Sequence, residues 1–173
     1  SSPSRGLGDV YKRQDYVVQS KQLGTADALK VAVKDTTFKD ISNLFVFLGD
    51  TPLITKSDIT CLSDSLKSND ILIASFEAEN PTGYGRIIRD NEGRVCNIIE
   101  EGDATTEEKS IKTCFSGIII FNNISTLSLL DNIKNDNSKK EFYLTDVIKI
   151  ADNDNLNVRD VLLEYLSLIH ISE

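Results

Sequence analysis

A single α/β domain built on a mixed, mostly parallel sheet with helices on both faces is the fold class that the sequence predicts, and three observations predict it. The first is the uninterrupted apolar run Leu44 to Leu48, too short for a lone helix and rich in β-formers. Such a run reads as a strand buried on both faces. The second is ILIASFEA, Ile71 to Ala78, another buried strand. The third is what lies between them: Ser57 or Asp58 caps a helix running to about Lys67. Strand, helix, strand in that order predicts a right-handed crossover and a parallel pair. At 173 residues the chain suits one domain with a sizeable core.

In chain order, DYVVQ, Asp15 to Gln19, has the composition of a strand fragment. Gly24-Thr25 can then start a helix whose apolar face is Ala28, Leu29, Ala32 and Val33. Its first amides would be free for an anion or a base carbonyl, although Thr25 reads equally as a plain N-cap. The strand Leu44 to Leu48 stops at Gly49-Asp50, and Thr51-Pro52 sets the exit path. In an open α/β sheet ligands bind outside the carboxyl ends of the strands. The Asp50 carboxylate either faces such a crevice, where a hard oxygen suits magnesium with phosphates, or caps a turn.

NPTGYGRII, Asn80 to Ile88, brackets Tyr84 between Gly83 and Gly85. It reads as a glycine turn entering a hairpin, or as permissive backbone whose amides turn toward a ligand. A hairpin through Asp90 to Gly93, the strand RVCNIIE and the acidic turn Glu100 to Asp103 follow. Thr105 to Lys109 makes a helical turn, and Thr113 to Phe121 makes a strand whose second half is again continuously apolar. Ile124 to Ile133 reads as a helix and NDNSKK as a polar loop. In EFYLTDVIKIA, Leu144, Val147, Ile148 and Ala151 share one helical face with Thr145 near the start. Asn157 to Glu164 is the last strand.

Composition removes several function classes. A net charge of −8 argues against nucleic acid or an anionic membrane as partner, since a phosphate backbone demands a basic footprint. A phosphorylated ligand should therefore arrive with a cation. Cys61, Cys96 and Cys114 form no CxxC pair, so neither a disulfide framework nor a zinc site is indicated and a reducing, cytoplasmic setting fits. No apolar run is long enough to span a bilayer, and no charged-then-apolar leader precedes the domain.

The two ends have a different origin. LGDVYKRQ, Leu7 to Gln14, written CTC GGA GAT GTG TAT AAG AGA CAG, has a reverse complement that translates as LSLIHISE, the sequence of Leu166 to Glu173. Every residue pair matches. That DNA resembles the mosaic end of a transposase-type sequencing adapter, and extending it upstream gives the Ser4 to Gly6 residues as well. Residues 1–14 and 166–173 are thus expected to be adapter-derived tails around a natural insert, Asp15 to Tyr165. The insert has no histidine, because His170 is in a tail, so histidine catalysis is not expected.

Taken together, QxxQLGTAxA, GDTPLI, NPTGYGRI, IIEEGDAT, SGI and EFYLTD, in this order and at these separations, resemble the pyrophosphorylase domain of the bacterial bifunctional N-acetylglucosamine-1-phosphate uridylyltransferase/glucosamine-1-phosphate acetyltransferases. GDTPLI is common to many sugar nucleotidyltransferases; PTGYGRI, EExDAT and EFYLTD are more particular. The resemblance implies a Rossmann-like, GT-A-like nucleotidyltransferase fold. It also implies that Gln19, Gly24 and Thr25 hold the uracil, that Asp50 is a ligand to Mg2+, and that Gly85, Glu100, Tyr143 and Thr145 bind the sugar phosphate. The implied reaction joins UTP and N-acetylglucosamine 1-phosphate into UDP-N-acetylglucosamine with release of pyrophosphate, by in-line attack at the α-phosphorus. Such chemistry rests on positioning and charge neutralisation and requires no general base.

Several family features are not in this chain: the glycine-rich phosphate loop with its lysine, the asparagine of a GVNNR segment, and the left-handed β-helix acetyltransferase domain. The chain is therefore expected to be a domain truncated at both ends, inactive alone, from a full-length protein that trimerises through that β-helix. Phe115 stands in CFSG where the family usually has asparagine, and Asp27 stands where many relatives carry histidine. The Phe115 departure keeps open a related nucleotidyltransferase for another sugar 1-phosphate. A non-catalytic nucleotide-sugar-binding module on the same fold is a further reading.

Overall fold

The computed structural model describes residues 16–35, 41–49 and 54–163. Asp50 and both adapter-like tails lie outside the described residues. In chain order the elements are α1 (Thr25–Asp35), β1 (Leu44–Phe47), α2 (Lys56–Ser65), β2 (Ile71–Glu77), β3 (Arg86–Arg89), β4 (Val95–Ile99), α3 (Thr106–Lys109), β5 (Thr113–Phe121), a 3₁₀ segment (Ile124–Asn132), α4 (Asp146–Asn153) and β6 (Val158–Leu162).

The sheet is organised around β5. Strand β2 pairs with it antiparallel, from Ile71 opposite Phe121 to Glu77 opposite Thr113. The other edge of β5 is shared: β1 pairs antiparallel with its second half, Leu44 opposite Phe121, while β3 meets its first half, Arg86 opposite Cys114. Beyond β3 lies β4, its hairpin partner through Asp90 to Gly93, and beyond β2 lies β6. Only the β2–β6 ladder is parallel among the described strands, so the expectation of a mostly parallel sheet is corrected to a mostly antiparallel one. The predicted β1–β2 pair points the right way, since both run antiparallel to β5, but β5 is inserted between them. An apolar run reports burial on two faces and carries no information on the direction or identity of its neighbours.

Helices cover both faces, as the alternation along β2 and β5 requires. Ile71, Ile73, Phe115, Ile119 and Phe121 face α1, the 3₁₀ segment and α4, packing with Ala26, Leu130, Val147, Ile148 and Ala151. Leu72, Ala74, Ile118 and Ile120 face the other way, onto Leu62 and Leu66 of the α2 region. Burying this apolar surface is the main favourable term in folding, at about 25 cal/mol per Å².

Local chemistry explains most boundaries. Thr55, not Ser57 or Asp58, caps α2: the Asp58 amide donates to Thr55 Oγ1 at 3.2 Å while the Asp58 carboxylate accepts from the Thr55 amide at 2.9 Å. That reciprocal box satisfies two end donors at once. Thr105 and Glu108 repeat it at α3. The segment expected to be a helix from Ile124 to Ile133 is a 3₁₀ helix, entered through the Asn123 side chain, which accepts from Ser125 N at 2.9 Å. Tyr16 to Gln19 forms no strand, and Tyr16 and Val18 are exposed. Strand composition alone does not make a strand without a ladder partner.

Candidate functional site

Among the described residues, motifs from the resemblance are in contact: QLGTA with EFYLTD, and IIEEGDAT with both EFYLTD and NPTGYGRI. Gly24 has φ +121, and a Cβ there would stand 2.5 Å from the Phe142 carbonyl oxygen, so only glycine lets QLGTA lie against EFYLT. The contact is stitched by backbone bonds: Phe142 N donates to Leu23 O at 2.8 Å and Ala26 N to Phe142 O at 2.9 Å. Leu144 N donates to Thr25 Oγ1 at 2.9 Å. Thr25 thus spends its hydroxyl on a partner 119 residues away, and the Ala26 amide, expected to be free at the helix start, is taken by Phe142.

Gln19 and Asp27 are joined before any ligand is considered. The Gln19 Nε2 group donates to the Asp27 carboxylate at 2.7 Å and to Gly24 O at 3.3 Å. Both partners are acceptors, which fixes the amide with nitrogen toward Asp27 and leaves the Gln19 carbonyl oxygen pointing away from this pair. Asp27, without a reading from the sequence, orients the side chain assigned to the base.

On the sugar-phosphate side, Glu100 is the meeting point. Its Oε1 accepts from Thr145 Oγ1 at 2.9 Å, and its Oε2 lies 3.6 Å from where a Gly85 Cβ would stand. Gly85 itself is buried, with Ile98 Cγ2 at 3.0 Å from that same point, so a side chain at residue 85 would crowd Ile98 and Glu100. Its carbonyl accepts from Phe115 N at 2.9 Å, while its N–H donates to none of the described residues. Thr145 occupies the N-cap position of α4 yet makes no capping bond, its hydroxyl going to Glu100 instead. Tyr143 lies beside Glu100 on the wall of a cavity of about 260 Å³ that Asp103, Lys134, Asp146 and Lys149 also line. The structure therefore brings Gly85 and Thr145 to Glu100, with Tyr143 on the same cavity wall as Glu100, and ties Gly24 and Thr25 to the EFYLTD segment, Gln19 reaching only Gly24 and Asp27.

Electrostatics in this pocket follow from crowding of carboxylates. Burial, and then the nearby charges of Glu100 and Asp103, push the Asp146 carboxyl up to about 6 against an ordinary 3.8, with Lys149 opposing. Burial also raises the Tyr143 hydroxyl, which keeps it a neutral hydrogen-bonding group. Phe115, in the family's asparagine position, is 6% exposed and belongs to the core face, so it offers its backbone amide, not a polar side chain, at this point.

Asp50 lies outside the described residues, and β1, which precedes it, is joined to β5. Leu48 N donates to Gly117 O at 2.9 Å, two residues along β5 from Phe115, which binds Gly85. Among the described residues no group of three or more His, Cys, Asp or Glu side chains could hold a metal ion. No helix among the described residues is long and apolar enough to cross a membrane.

Two residues here had no role in the sequence reading. Arg86, 1% exposed, and Glu101 form an ion pair at 2.6 Å beside the Gly83 to Gly85 turn. The adjacency of one glutamate with a site assignment and a second without was the available signal.

The nucleotidyl transferase family model matches residues 5–164. The bifunctional protein GlmU of Bartonella bacilliformis is 39% identical over 155 residues, covering 89% of this chain and 34% of that protein. The GlmU protein of Staphylococcus carnosus is 43% identical over 146 residues, or 83% and 31% of the two chains. The chain thus spans about a third of the length of these curated relatives. A nucleoside-diphosphate-sugar pyrophosphorylase structure from Vibrio cholerae RC9 superposes with a TM-score of 0.63 at 14% identity, over 86% of this chain and 60% of that one, a likeness of fold. With the motifs converging as they do and the family match running through nearly the whole sequence, this chain belongs to the nucleotidyl transferase family.

Proposed function

We propose that this domain serves uridylyl transfer from UTP to N-acetylglucosamine 1-phosphate, forming UDP-N-acetylglucosamine and pyrophosphate. The observation that supports the reading is the position of Glu100, whose carboxylate accepts from the Thr145 hydroxyl and stands beside the Gly85 backbone. In this reading the Gly85 backbone meets the sugar phosphate, Glu100 accepts from sugar hydroxyls, and Tyr143 with Thr145 lines the sugar side. Gln19, Gly24 and Thr25 meet the uracil. Mg2+ held by Asp50 and phosphate oxygens would neutralise charge on the triphosphate. The cation beside the Gly83 to Gly85 turn, Arg86, is already paired with Glu101 and so contributes little to that neutralisation. The 173-residue chain alone is proposed to be inactive, with the intact gene product cytoplasmic, further endowed with the acetyltransferase domain, and trimeric through it. Residues 1–14 and 166–173 are proposed to be adapter-derived, and the family match from residue 5 makes the gene's own DNA the deciding observation.

The test is pyrophosphate release with Mg2+, UTP and N-acetylglucosamine 1-phosphate, using both the intact gene product and this chain. Turnover by the intact product with glucose 1-phosphate in preference to the N-acetyl sugar would favour the second reading, a relative specific for another hexose. The burial of an apolar Phe115 beside Gly85 is the observation that supports that alternative.

A further inference from the structure

Two consecutive glutamates point to opposite tasks. Glu100 turns to Thr145 and Gly85, whereas Glu101 turns to the loop that carries Gly85. Glu101 Oε2 accepts from Gly83 N at 3.3 Å and from the Arg86 guanidinium at 2.6 Å, which lie on the two sides of the Tyr84-Gly85 pair. Arg86 then donates to the Tyr84 carbonyl oxygen and, at 3.4 Å, to Lys109 O. One carboxylate and one guanidinium therefore close a ring around the turn, with Lys109 Nζ a distant third charge at 4.0 Å. The Tyr84 ring packs edge-on against Phe76, 4.9 Å between centroids, which anchors the turn's remaining side chain.

Arg86 has little alternative to this arrangement. It is 1% exposed, and its Nε is buried without a hydrogen-bond partner. A buried guanidinium that lost Glu101 would keep its charge with only carbonyl acceptors nearby, so the loop would rearrange to bring it water. Glu101, by contrast, has a side chain 30% exposed, so altering it does not open a core cavity. The fork geometry of arginine is also specific here. A lysine at 86 could not reach the Tyr84 carbonyl and the Glu101 carboxylate in one plane.

We propose that Glu101 and Arg86 are a positioning pair for the sugar-phosphate site: the ion pair holds the Pro81–Gly85 turn against Glu100, so that the Gly85 amide and the Glu100 carboxylate face the same ligand. This rests on the assignment of that site to a sugar 1-phosphate. Neither residue touches the ligand. Their effect is confined to the placement of Gly85, which makes it separable from the base side at Gln19 and Thr25.

The experiment uses the 173-residue chain and its Glu101→Gln, Glu101→Asp and Arg86→Lys variants, with Glu92→Gln on the exposed hairpin as control. Amide hydrogen exchange at Gly83 and Gly85 is followed by NMR, and affinities for N-acetylglucosamine 1-phosphate and for UTP are measured separately. Exchange at Gly83, whose amide donates to Glu101, is expected to quicken about tenfold in Glu101→Gln and Arg86→Lys, the size expected from losing a charged hydrogen bond, and exchange at buried Gly85 is expected to quicken with it as the turn loosens. Affinity for the sugar 1-phosphate is expected to fall by a similar factor while UTP affinity stays within about twofold. Glu101→Asp keeps the charge and should recover part of both effects, and Glu92→Gln should change neither. Unchanged glycine exchange in the variants overturns the proposal. So does quickened exchange with sugar-phosphate affinity unaltered, or an equal loss of both ligands, which marks a general structural role. A wild-type chain that binds UTP but no sugar 1-phosphate overturns the site assignment and this role with it, whereas normal binding with insensitive variants overturns this role alone. Where Glu101→Gln does not fold, the comparison of Glu101→Asp with wild type decides in the same way.

Discussion

Gly24→Ala tests the contact that holds QLGTA against EFYLT. An alanine Cβ at this point would stand 2.5 Å from the Phe142 oxygen, 2.7 Å from its nitrogen and 2.9 Å from its carbonyl carbon, all of them backbone atoms that cannot rotate away. The backbone at φ +121 is also one that residues with a Cβ rarely adopt, costing about 1–3 kcal/mol if kept. Relieving the clash means drawing α1 away from Phe142, which breaks Phe142 N to Leu23 O and Ala26 N to Phe142 O. At about 1 kcal/mol net for each bond, the total cost is about 3–5 kcal/mol. Urea unfolding followed by circular dichroism measures it as a lower midpoint at unchanged slope. Gly49→Ala is the control, since a Cβ there meets nothing within 4 Å, and it should stay within about 0.5 kcal/mol of wild type. The Leu144 amide, held by Thr25 Oγ1, should at the same time exchange faster in Gly24→Ala than in the control. A loss below about 1 kcal/mol, or a Leu144 amide as protected as in wild type, would refute the argument that this glycine sets the approach of the two motifs.

The remaining expectations use different probes. Asp146, with its folded carboxyl raised to about 6 and its unfolded value near 3.8, binds a proton in the folded state across that window where the unfolded chain does not. Stability should therefore fall as pH rises from about 4 to about 6, and thermal unfolding of Asp146→Asn should lack that slope; an identical slope in the variant would assign it to other groups. Asp160→Asn disturbs the two-point contact of Arg89 at 3.0 and 2.8 Å and the bond from buried Ser75 Oγ at 2.7 Å, so a loss of about 1–3 kcal/mol is expected in chemical unfolding. Deleting residues 1–14 and 166–173 should leave the unfolding midpoint within about 0.5 kcal/mol, as expected of tails not selected to pack. A clear loss of stability there would count against the adapter origin.

Much of this protein was legible one residue at a time. The apolar runs of β1, β2 and β5, the turn at Asp90 to Gly93 and the 3.6-residue spacing of Leu144, Val147, Ile148 and Ala151 are local patterns, and local patterns determine which elements form and which faces are buried. The motif set likewise singled out Glu100 and Thr145, which the fold joins by a hydrogen bond. Tertiary structure decided what those elements do to one another. Strand β5 entered between β1 and β2 because ladder partners are chosen by long-range packing, to which a strand's own hydropathy is blind. Thr145 gave its hydroxyl to Glu100 instead of capping α4, and Thr25 gave its own to Leu144, choices between a local and a distant partner that only a folded chain presents. The same reason separates Glu100 from Glu101. They are identical in chemistry and adjacent in sequence, and the surroundings alone turn one toward Thr145 and the other toward Arg86.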